Sequence, residues 1–116
     1  MDKTRIIVVE DNIVYCEYVC NLLAREGYRT VKAYHLLTAK KHLQQSTDND
    51  IVVADLRLPD GNGIDLLRWM RKEGKMQPFI IMTDYAEVNT AWKIHSPLPP
   101  SVHFKVIPQI HSKVTP

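Results

Sequence analysis

Short apolar runs alternate along the chain with segments whose apolar residues recur at helical spacing. Three continuous runs have the length and β-branched character of strands buried on both faces, at residues 6–9, 51–54 and 79–82. A stretch of mixed polarity at residues 29–33 predicts one more strand, with Val31 facing inward. Helical periodicity predicts helices at about residues 13–26, 36–45 and 64–72, and a fourth starting near Glu87. The predicted order is β-α-β-α-β-α-β-α.

The ends of these helices carry recognisable signals. Asn12 is a suitable N-cap for the first helix, and Gly27 is placed to end it. The apolar face of that helix is predicted to contain Cys16, Val19, Leu22 and Leu23. The second helix has an apolar face of Leu36, Ala39 and Leu43, and a polar linker at residues 46–50 follows it. Residues 58–63 have the composition of a turn.

This alternation predicts the α/β class, with right-handed crossovers and a parallel sheet covered by helices on both faces. Ligands in such sheets bind outside the carboxyl ends of the strands. Three of the apolar runs end there in oxygen-bearing side chains, namely Glu10 with Asp11, Asp55, and Thr83. The sequence therefore predicts that these side chains meet at one edge of the sheet.

Carboxylates gathered at one edge repel each other unless a cation neutralises them. Mg²⁺ suits such a cluster, because it prefers oxygen ligands and is commonly held by one or two carboxylates together with a phosphate oxygen. For phosphate chemistry, Asp55 is the candidate nucleophile and Thr83 offers a hydroxyl to the phosphoryl group. A lysine would add a point charge, and Lys105 lies in residues 102–106, a possible fifth strand.

The ordered set of motifs resembles the receiver domain family of bacterial two-component response regulators. The motifs are the acid pair after the first strand, the run from Asp55 to Gly63, and the threonine after the fourth predicted strand. The resemblance extends over about residues 3–91 and implies a doubly wound, flavodoxin-like sheet of five parallel strands in the order 2-1-3-4-5. It also implies a set of Mg²⁺ ligands: Glu10, Asp11, Asp55 and the backbone carbonyl of Arg57.

The resemblance implies a function as well. A sensor histidine kinase would transfer a phosphoryl group to Asp55, and Thr83 and Lys105 would bind it. The chain would be a phosphoacceptor that catalyses its own phosphorylation and dephosphorylation, and not an enzyme with a separate substrate. Its signal would pass to an output domain outside the chain, of the DNA-binding kind. The stretch at residues 82–88 resembles receivers of the enhancer-binding transcription activator group.

Size and charge are consistent with one cytoplasmic domain. A chain of 116 residues can bury one sufficient core, and it contains neither an apolar run of membrane-spanning length nor a secretory signal. The net charge of +2 comes from the tail, since all 13 acidic residues precede Val88. We therefore expect no direct contact with membranes or nucleic acids. Cys16 and Cys20 are expected to be reduced thiols within one helix.

The last quarter of the chain departs from the family pattern. Asp84 occupies a position that is usually small, so together with Tyr85 it is expected to modulate access to the phosphorylation site and to disfavour phosphorylation. Val102 replaces the aromatic residue that usually lies three residues before the lysine. From Trp92 the chain has prolines that would break a helix, and the usual last helix is missing.

We therefore divide the chain into a receiver core, residues 1–91, and an atypical C-terminal segment, residues 92–116. The segment is either truncated or frame-altered, or a divergent tail that packs by another route. Loss of the last helix would expose apolar surface, which predicts a homodimer or strand exchange through this region.

Two other functions fit parts of the pattern. One is a receiver-like interaction or dimerisation module that no longer switches, suggested by Asp84, Val102 and the missing helix. The other is a Mg²⁺-dependent aspartyl phosphatase on a related fold. Such enzymes usually place a second aspartate two residues after the first, and here that position is Arg57.

Overall fold

The computed structural model describes residues 4–45 and 49–82 and, as strand backbone, Thr83 and residues 102–106. The elements follow in the predicted alternation, with one small addition after the third strand. In chain order they are β1 (Arg5–Val9), α1 (Ile13–Arg25), β2 (Arg29–Ala33), α2 (Leu36–Leu43), β3 (Asp50–Asp55), β4 (Arg57–Leu58), β5 (Gly61–Asn62), α3 (Gly63–Lys72), β6 (Phe79–Thr83) and β7 (Val102–Val106).

Five strands form one parallel sheet in the order β2-β1-β3-β6-β7. This is the order predicted from the sequence, and the possible strand at residues 102–106 is confirmed as β7. The short strands β4 and β5 pair antiparallel in a separate ribbon, which the sequence had predicted only as a turn. The ribbon follows directly after the central strand β3 and leads into α3.

Alternation along the strands produces a core on each face of the sheet. Ile7 and Val9 of β1 pack on one face, in a cluster that includes the apolar residues of α2 and α3. Ile6 and Val8 point to the other face, where Cys16 and Cys20 of α1 cover them. Such double burial explains why β1 is apolar without interruption. The α/β, doubly wound prediction is confirmed.

Details of the predicted helices need correction. Leu22 was expected on the buried face of α1, but its side chain is 40% exposed and Cys20 is buried instead. Cys16 and Cys20 lie four residues apart and so share a face, whereas Leu22, two residues further, points well away from it. The second helix is shorter than predicted and ends at Leu43.

Asp50 is also misplaced by the sequence interpretation, which assigned it to the polar linker. It is the first residue of β3, and its buried carboxylate accepts two hydrogen bonds from Arg5, from Nε at 3.2 Å and from Nη2 at 2.8 Å. Arg5 is its partner in the register of β1 and β3. A polar residue therefore begins the strand because an ion pair satisfies it.

Several expectations fall outside the described residues. They are the fourth helix near Glu87, the effect of Asp84 and Tyr85, and the absence of the last helix. The division at residue 91 likewise stays a prediction. Within the described ranges, no helix combines the length and the apolar character needed to cross a membrane.

Candidate functional site

The register of β1 and β3 brings the acidic residues together at the carboxyl edge of the sheet. Val9 is level with Ala54, so Glu10 and Asp55 each follow at the next position. One carboxylate oxygen from each of Glu10, Asp11 and Asp55 lies within 4.8 Å of the other two. Glu10 is fully buried and Asp55 nearly so, whereas Asp11 is partly exposed. The predicted acidic cluster is thus formed.

Backbone hydrogen bonds fix the acid pair after β1. The Glu10 amide donates to the carbonyl of Ala33 on the neighbouring strand at 2.9 Å. Its carboxylate oxygen Oε2 accepts a hydrogen bond from the Asn12 amide at 2.8 Å. Asn12 in turn caps α1, because its Oδ1 accepts from the Tyr15 amide at 3.0 Å. The acid pair therefore sits in a tight link between β1 and α1.

Asp55 is held equally closely at the end of β3. Its Oδ1 accepts a hydrogen bond from the Leu56 amide at 2.8 Å, which orients the carboxylate plane. The Leu56 carbonyl accepts from the Gly63 amide at 2.9 Å, so the start of α3 lies against this strand end. A Cβ atom on Gly63 would lie 2.6 Å from the Asp55 carbonyl oxygen. Glycine is therefore required for this approach.

The loop after Asp55 is the β4–β5 ribbon. Arg57, whose carbonyl the family resemblance makes a Mg²⁺ ligand, pairs with Asn62 across the ribbon, and its side chain is exposed. Asn62 also caps α3: its Oδ1 accepts a hydrogen bond from the Asp65 amide at 2.9 Å, and the Asp65 carboxylate accepts one from the Asn62 amide at 3.3 Å. The candidate ligand loop is thus continuous with the start of a helix.

Thr83 and Lys105 lie at the same edge of the sheet. Asp55 is level with Met82 on β6, so Thr83 is one position further towards the edge. Lys105, on β7, pairs in register with Met82 of β6. The backbone therefore brings both residues to the strand ends next to Asp55, as predicted. Their side chains lie outside the described residues, so their proposed contacts with a phosphoryl group stay predictions.

The donor set fits a hard divalent cation. Glu10, Asp11 and Asp55 supply carboxylate oxygens, which Mg²⁺ prefers, in a cluster that opens to solvent at Asp11. Cys16 and Cys20, both free thiols, lie on one face of the sheet in the cluster with Ile6 and Val8, and neither belongs to this donor set. The residues therefore suit magnesium and not a thiolate-bound metal such as zinc.

Sequence reasoning missed two residues that shape the site, Asp60 and Gly63. Asp60 was read only as part of a turn, yet its two carboxylate oxygens accept hydrogen bonds from the Leu36 and Leu37 amides at 2.8 and 3.1 Å. Desolvation acts to raise the pKa of the Asp60 carboxyl, but these hydrogen bonds outweigh it and the pKa lies below its ordinary value. The pattern Asp60-Gly-Asn-Gly63 was the available signal, but it does not specify the partner of Asp60.

Comparison with known proteins gives the family directly. The model of the response regulator receiver domain matches residues 6–96. Chemotaxis protein CheY1 of Helicobacter pylori is 32% identical over an alignment of 95 residues, and the match covers 77% of each chain. The probable transcriptional regulatory protein SilR of Salmonella typhimurium is 37% identical over 68% of this chain and 34% of its own. The chain thus spans about a third of the length of this regulator.

Solved structures agree with the sequence relatives. The receiver domain of HemR from Leptospira biflexa superposes with a TM-score of 0.68 at 32% identity, covering 91% of this chain and 83% of its own. TrrA from Thermotoga maritima, solved in complex with Mg²⁺ and BeF, has a TM-score of 0.74 at 23% identity, with 96% and 92% covered, and supports the fold. With its flavodoxin-like sheet and the family match over most of its length, the chain belongs to the response regulator receiver domain family of two-component signalling.

Proposed function

We propose that this receiver domain accepts a phosphoryl group on Asp55 from a sensor histidine kinase in a Mg²⁺-dependent reaction. The observation that carries the proposal is the cluster of Glu10, Asp11 and Asp55, whose ligand atoms lie within 4.8 Å of one another. Asp55 is the candidate acceptor because it ends the central strand β3, between the acid pair on β1 and Thr83 on β6.

In the proposed reaction a carboxylate oxygen of Asp55 attacks the phosphorus of a phosphohistidine. A phosphorus–oxygen bond forms, the phosphorus–nitrogen bond breaks, and its electron pair returns to the departing imidazole. Glu10, Asp11, Asp55 and the carbonyl of Arg57 would hold Mg²⁺, which supplies positive charge to the transferred group when bound. The hydrogen bond from the Leu56 amide keeps the Asp55 carboxylate oriented before the attack.

The lysine and threonine complete the proposed site. Thr83 and Lys105 reach the same edge on β6 and β7, and they would bind the phosphoryl oxygens. On this proposal the chain is a phosphoacceptor that catalyses its own phosphotransfer and dephosphorylation, with no separate substrate to turn over.

The downstream partner is proposed from the relatives. Those named transcriptional regulatory proteins are about three to five times longer than the stretch they share with this chain. We infer that the signal passes to an output domain outside the chain, of the DNA-binding kind. The predicted homodimer or strand exchange through residues 92–116 stays a prediction, which light scattering tests. The cytoplasmic location also stays a prediction.

The decisive experiment is labelling by a small phosphodonor such as acetyl phosphate, followed by intact mass. We expect the wild-type chain to gain one phosphoryl group with Mg²⁺ and none with a chelator. Asp55→Asn should abolish labelling, whereas Glu73→Gln, which changes an exposed carboxylate at the end of α3, should not. Mg²⁺ binding without labelling at any Mg²⁺ concentration would overturn the proposal in favour of the module that no longer switches.

The aspartyl phosphatase has weaker support. Its general acid would stand two residues after Asp55, where Arg57 places an exposed guanidinium. Hydrolysis of a small phosphate ester with repeated turnover would be the result that revives it. We expect instead that the chain does not turn over the ester, and that each phosphorylated chain hydrolyses only the phosphoryl group that it carries.

A further inference from the structure

The β4–β5 ribbon is small, although the proposed function requires it to hold the Arg57 carbonyl in place as a Mg²⁺ ligand. Only two residue pairs join its strands, Arg57 with Asn62 and Leu58 with Gly61. Its tip, residues 59–61, is exposed. Two-stranded hairpins are at best marginally stable by themselves. A metal ligand supplied by such a backbone needs an additional anchor to hold its position.

The base of the ribbon, where its two strands leave β3 and enter α3, is held in place. The Gly63 amide donates to the Leu56 carbonyl at 2.9 Å, and the close approach of Gly63 to Asp55 leaves no space for a side chain. Asn62 is fixed as the cap of α3. These contacts hold the two ends of the loop, but none of them holds its tip.

Asp60 anchors the tip to a different element. Its Oδ1 and Oδ2 accept hydrogen bonds from the Leu36 and Leu37 amides, at the start of α2. Helix α2 is itself fixed, because Leu36, Ala39 and Leu43 are buried in the core cluster. The tip also lies against this helix, since a Cβ on Gly61 would come within 2.5 Å of a methyl carbon of Leu36. The ribbon is thus tied at its far end to a packed helix.

We propose that Asp60 is a positioning residue for the metal site: by tying the ribbon to α2, it holds the Arg57 carbonyl where Mg²⁺ requires it. The inference rests on the proposed function, because it takes Mg²⁺ and the Arg57 carbonyl from there. Asp60 touches neither. It acts through the backbone of Leu58 and Pro59, in the way that outer partners orient the direct ligands of a metal.

The test needs a control that weakens α2 equally without touching the ribbon. Lys41 provides it, because its side chain is exposed within α2 and a glycine there destabilises the helix by about 1 kcal/mol, the size of a lost cap. Asp60→Ala removes the cap and the tie to the ribbon, whereas Lys41→Gly weakens only the helix. We expect either change to lower the thermal midpoint by about 5 °C.

Mg²⁺ affinity, measured by calorimetry on the whole chain, then separates the two roles. We expect Asp60→Ala to weaken Mg²⁺ binding by about 10-fold and Lys41→Gly by less than about 2-fold. Asp60→Asn, which keeps one acceptor oxygen, should fall between Asp60→Ala and the wild type. Wild-type affinity in Asp60→Ala, or an equal loss in Lys41→Gly, would overturn the proposal.

A readout without metal distinguishes failure of this inference from failure of the proposed function. Hydrogen exchange of the ribbon amides, residues 57–62, should be faster in Asp60→Ala and unchanged in Lys41→Gly. If the wild-type chain binds no Mg²⁺, the proposed function fails and the metal role of Asp60 fails with it. Unchanged exchange in Asp60→Ala would refute the tie itself, whatever the metal affinity.

Discussion

The guanidinium of Arg5 donates two hydrogen bonds to the carboxylate of Asp50, at 3.2 and 2.8 Å, where β1 and β3 begin. The Asp50 side chain is only 2% exposed and the Arg5 side chain 22%. The pair aligns the two central strands at the edge opposite the acidic cluster. It therefore helps to set the register that brings Glu10 and Asp55 together.

Removing the arginine tests this alignment. Arg5→Ala removes the guanidinium that donates two hydrogen bonds to the buried Asp50 carboxylate, so we expect a loss of about 3 kcal/mol in the free energy of unfolding. Arg25→Ala, which removes an exposed arginine at the end of α1, should cost about 0.5 kcal/mol or less. Urea unfolding measures both. Equal losses in the two variants would contradict the alignment role of Arg5.

Gly63→Ala should damage the site through packing. Its Cβ would meet the Asp55 carbonyl oxygen at 2.6 Å, so α3 must shift away from the end of β3. We expect a loss of about 2 kcal/mol or more together with weaker Mg²⁺ binding.

Gly27→Ala is the matched control for that change. Gly27 has a φ of +93° but open space around its Cβ position, so only the backbone penalty of about 1 kcal/mol applies. We expect its Mg²⁺ affinity to stay at the wild-type value. A Gly63→Ala protein with unchanged affinity would show that the contact with Asp55 is unimportant for the site.

The Cys16 thiol should be unreactive in the folded chain. Burial, reinforced by the neighbouring Cys20 and by Glu10, raises the pKa of the Cys16 thiol from 9.0 to about 12. We expect alkylation of Cys16 by iodoacetamide at pH 8.5 to be at least about 10-fold slower in the native than in the unfolded protein. Peptide mapping by mass spectrometry gives the rate at this residue. Equal rates would mean that Cys16 is accessible.

The same shift predicts a pH dependence of stability. Because the pKa is higher in the folded state, the contribution of Cys16 is complete below about pH 9 and is lost as the pH rises towards 12. The difference in unfolding free energy between wild type and Cys16→Ala should therefore shrink over that range. A constant difference from pH 8 to pH 11 would argue against the raised pKa.

On the proposed function, a protein phosphodonor would reach Asp55 across the surface beside the acidic cluster. A donor must approach Asp55 closely, and the start of α1, next to Asp11, exposes Ile13, Val14 and Tyr18 at 57, 79 and 58%. Exposed apolar residues grouped in this way are typical of interaction sites. We expect Val14→Lys to slow phosphotransfer from the kinase by about 10-fold and to leave labelling by acetyl phosphate unchanged.

The control for this surface is Tyr28→Ala, at the opposite end of the sheet, where β2 begins. It should change neither rate. If Val14→Lys slows both phosphodonors equally, its effect is on the site and not on docking. If it slows neither, the donor approaches from another side.

The sequence predicted the acidic cluster because each member directly follows a strand, and parallel strands gather their carboxyl ends at one edge. Glu10, Asp11 and Asp55 needed no further information. Asp60 could not be assigned in the same way, since its partners are the amides of Leu36 and Leu37, far earlier in the chain. Its hydrogen bonds depend on where α2 packs in three dimensions.

The errors have similar causes. Asp50 looked like the end of a polar linker because Arg5, which pairs with its charge, lies on another strand. Leu22 looked buried because its helix offers more apolar residues than one face can cover. Local pattern identified the elements and the site, whereas long-range partners determined which polar residues are buried.

The pairing of Val9 with Ala54 also makes cation binding depend on correct folding. A slip of one residue between β1 and β3 would turn Asp55 to the opposite face and separate it from Glu10. The cation site therefore exists only in the correctly folded molecule, and a cation that binds there stabilises that molecule against unfolding. On the proposed function, a copy with the shifted register would lack the site that accepts the phosphoryl group.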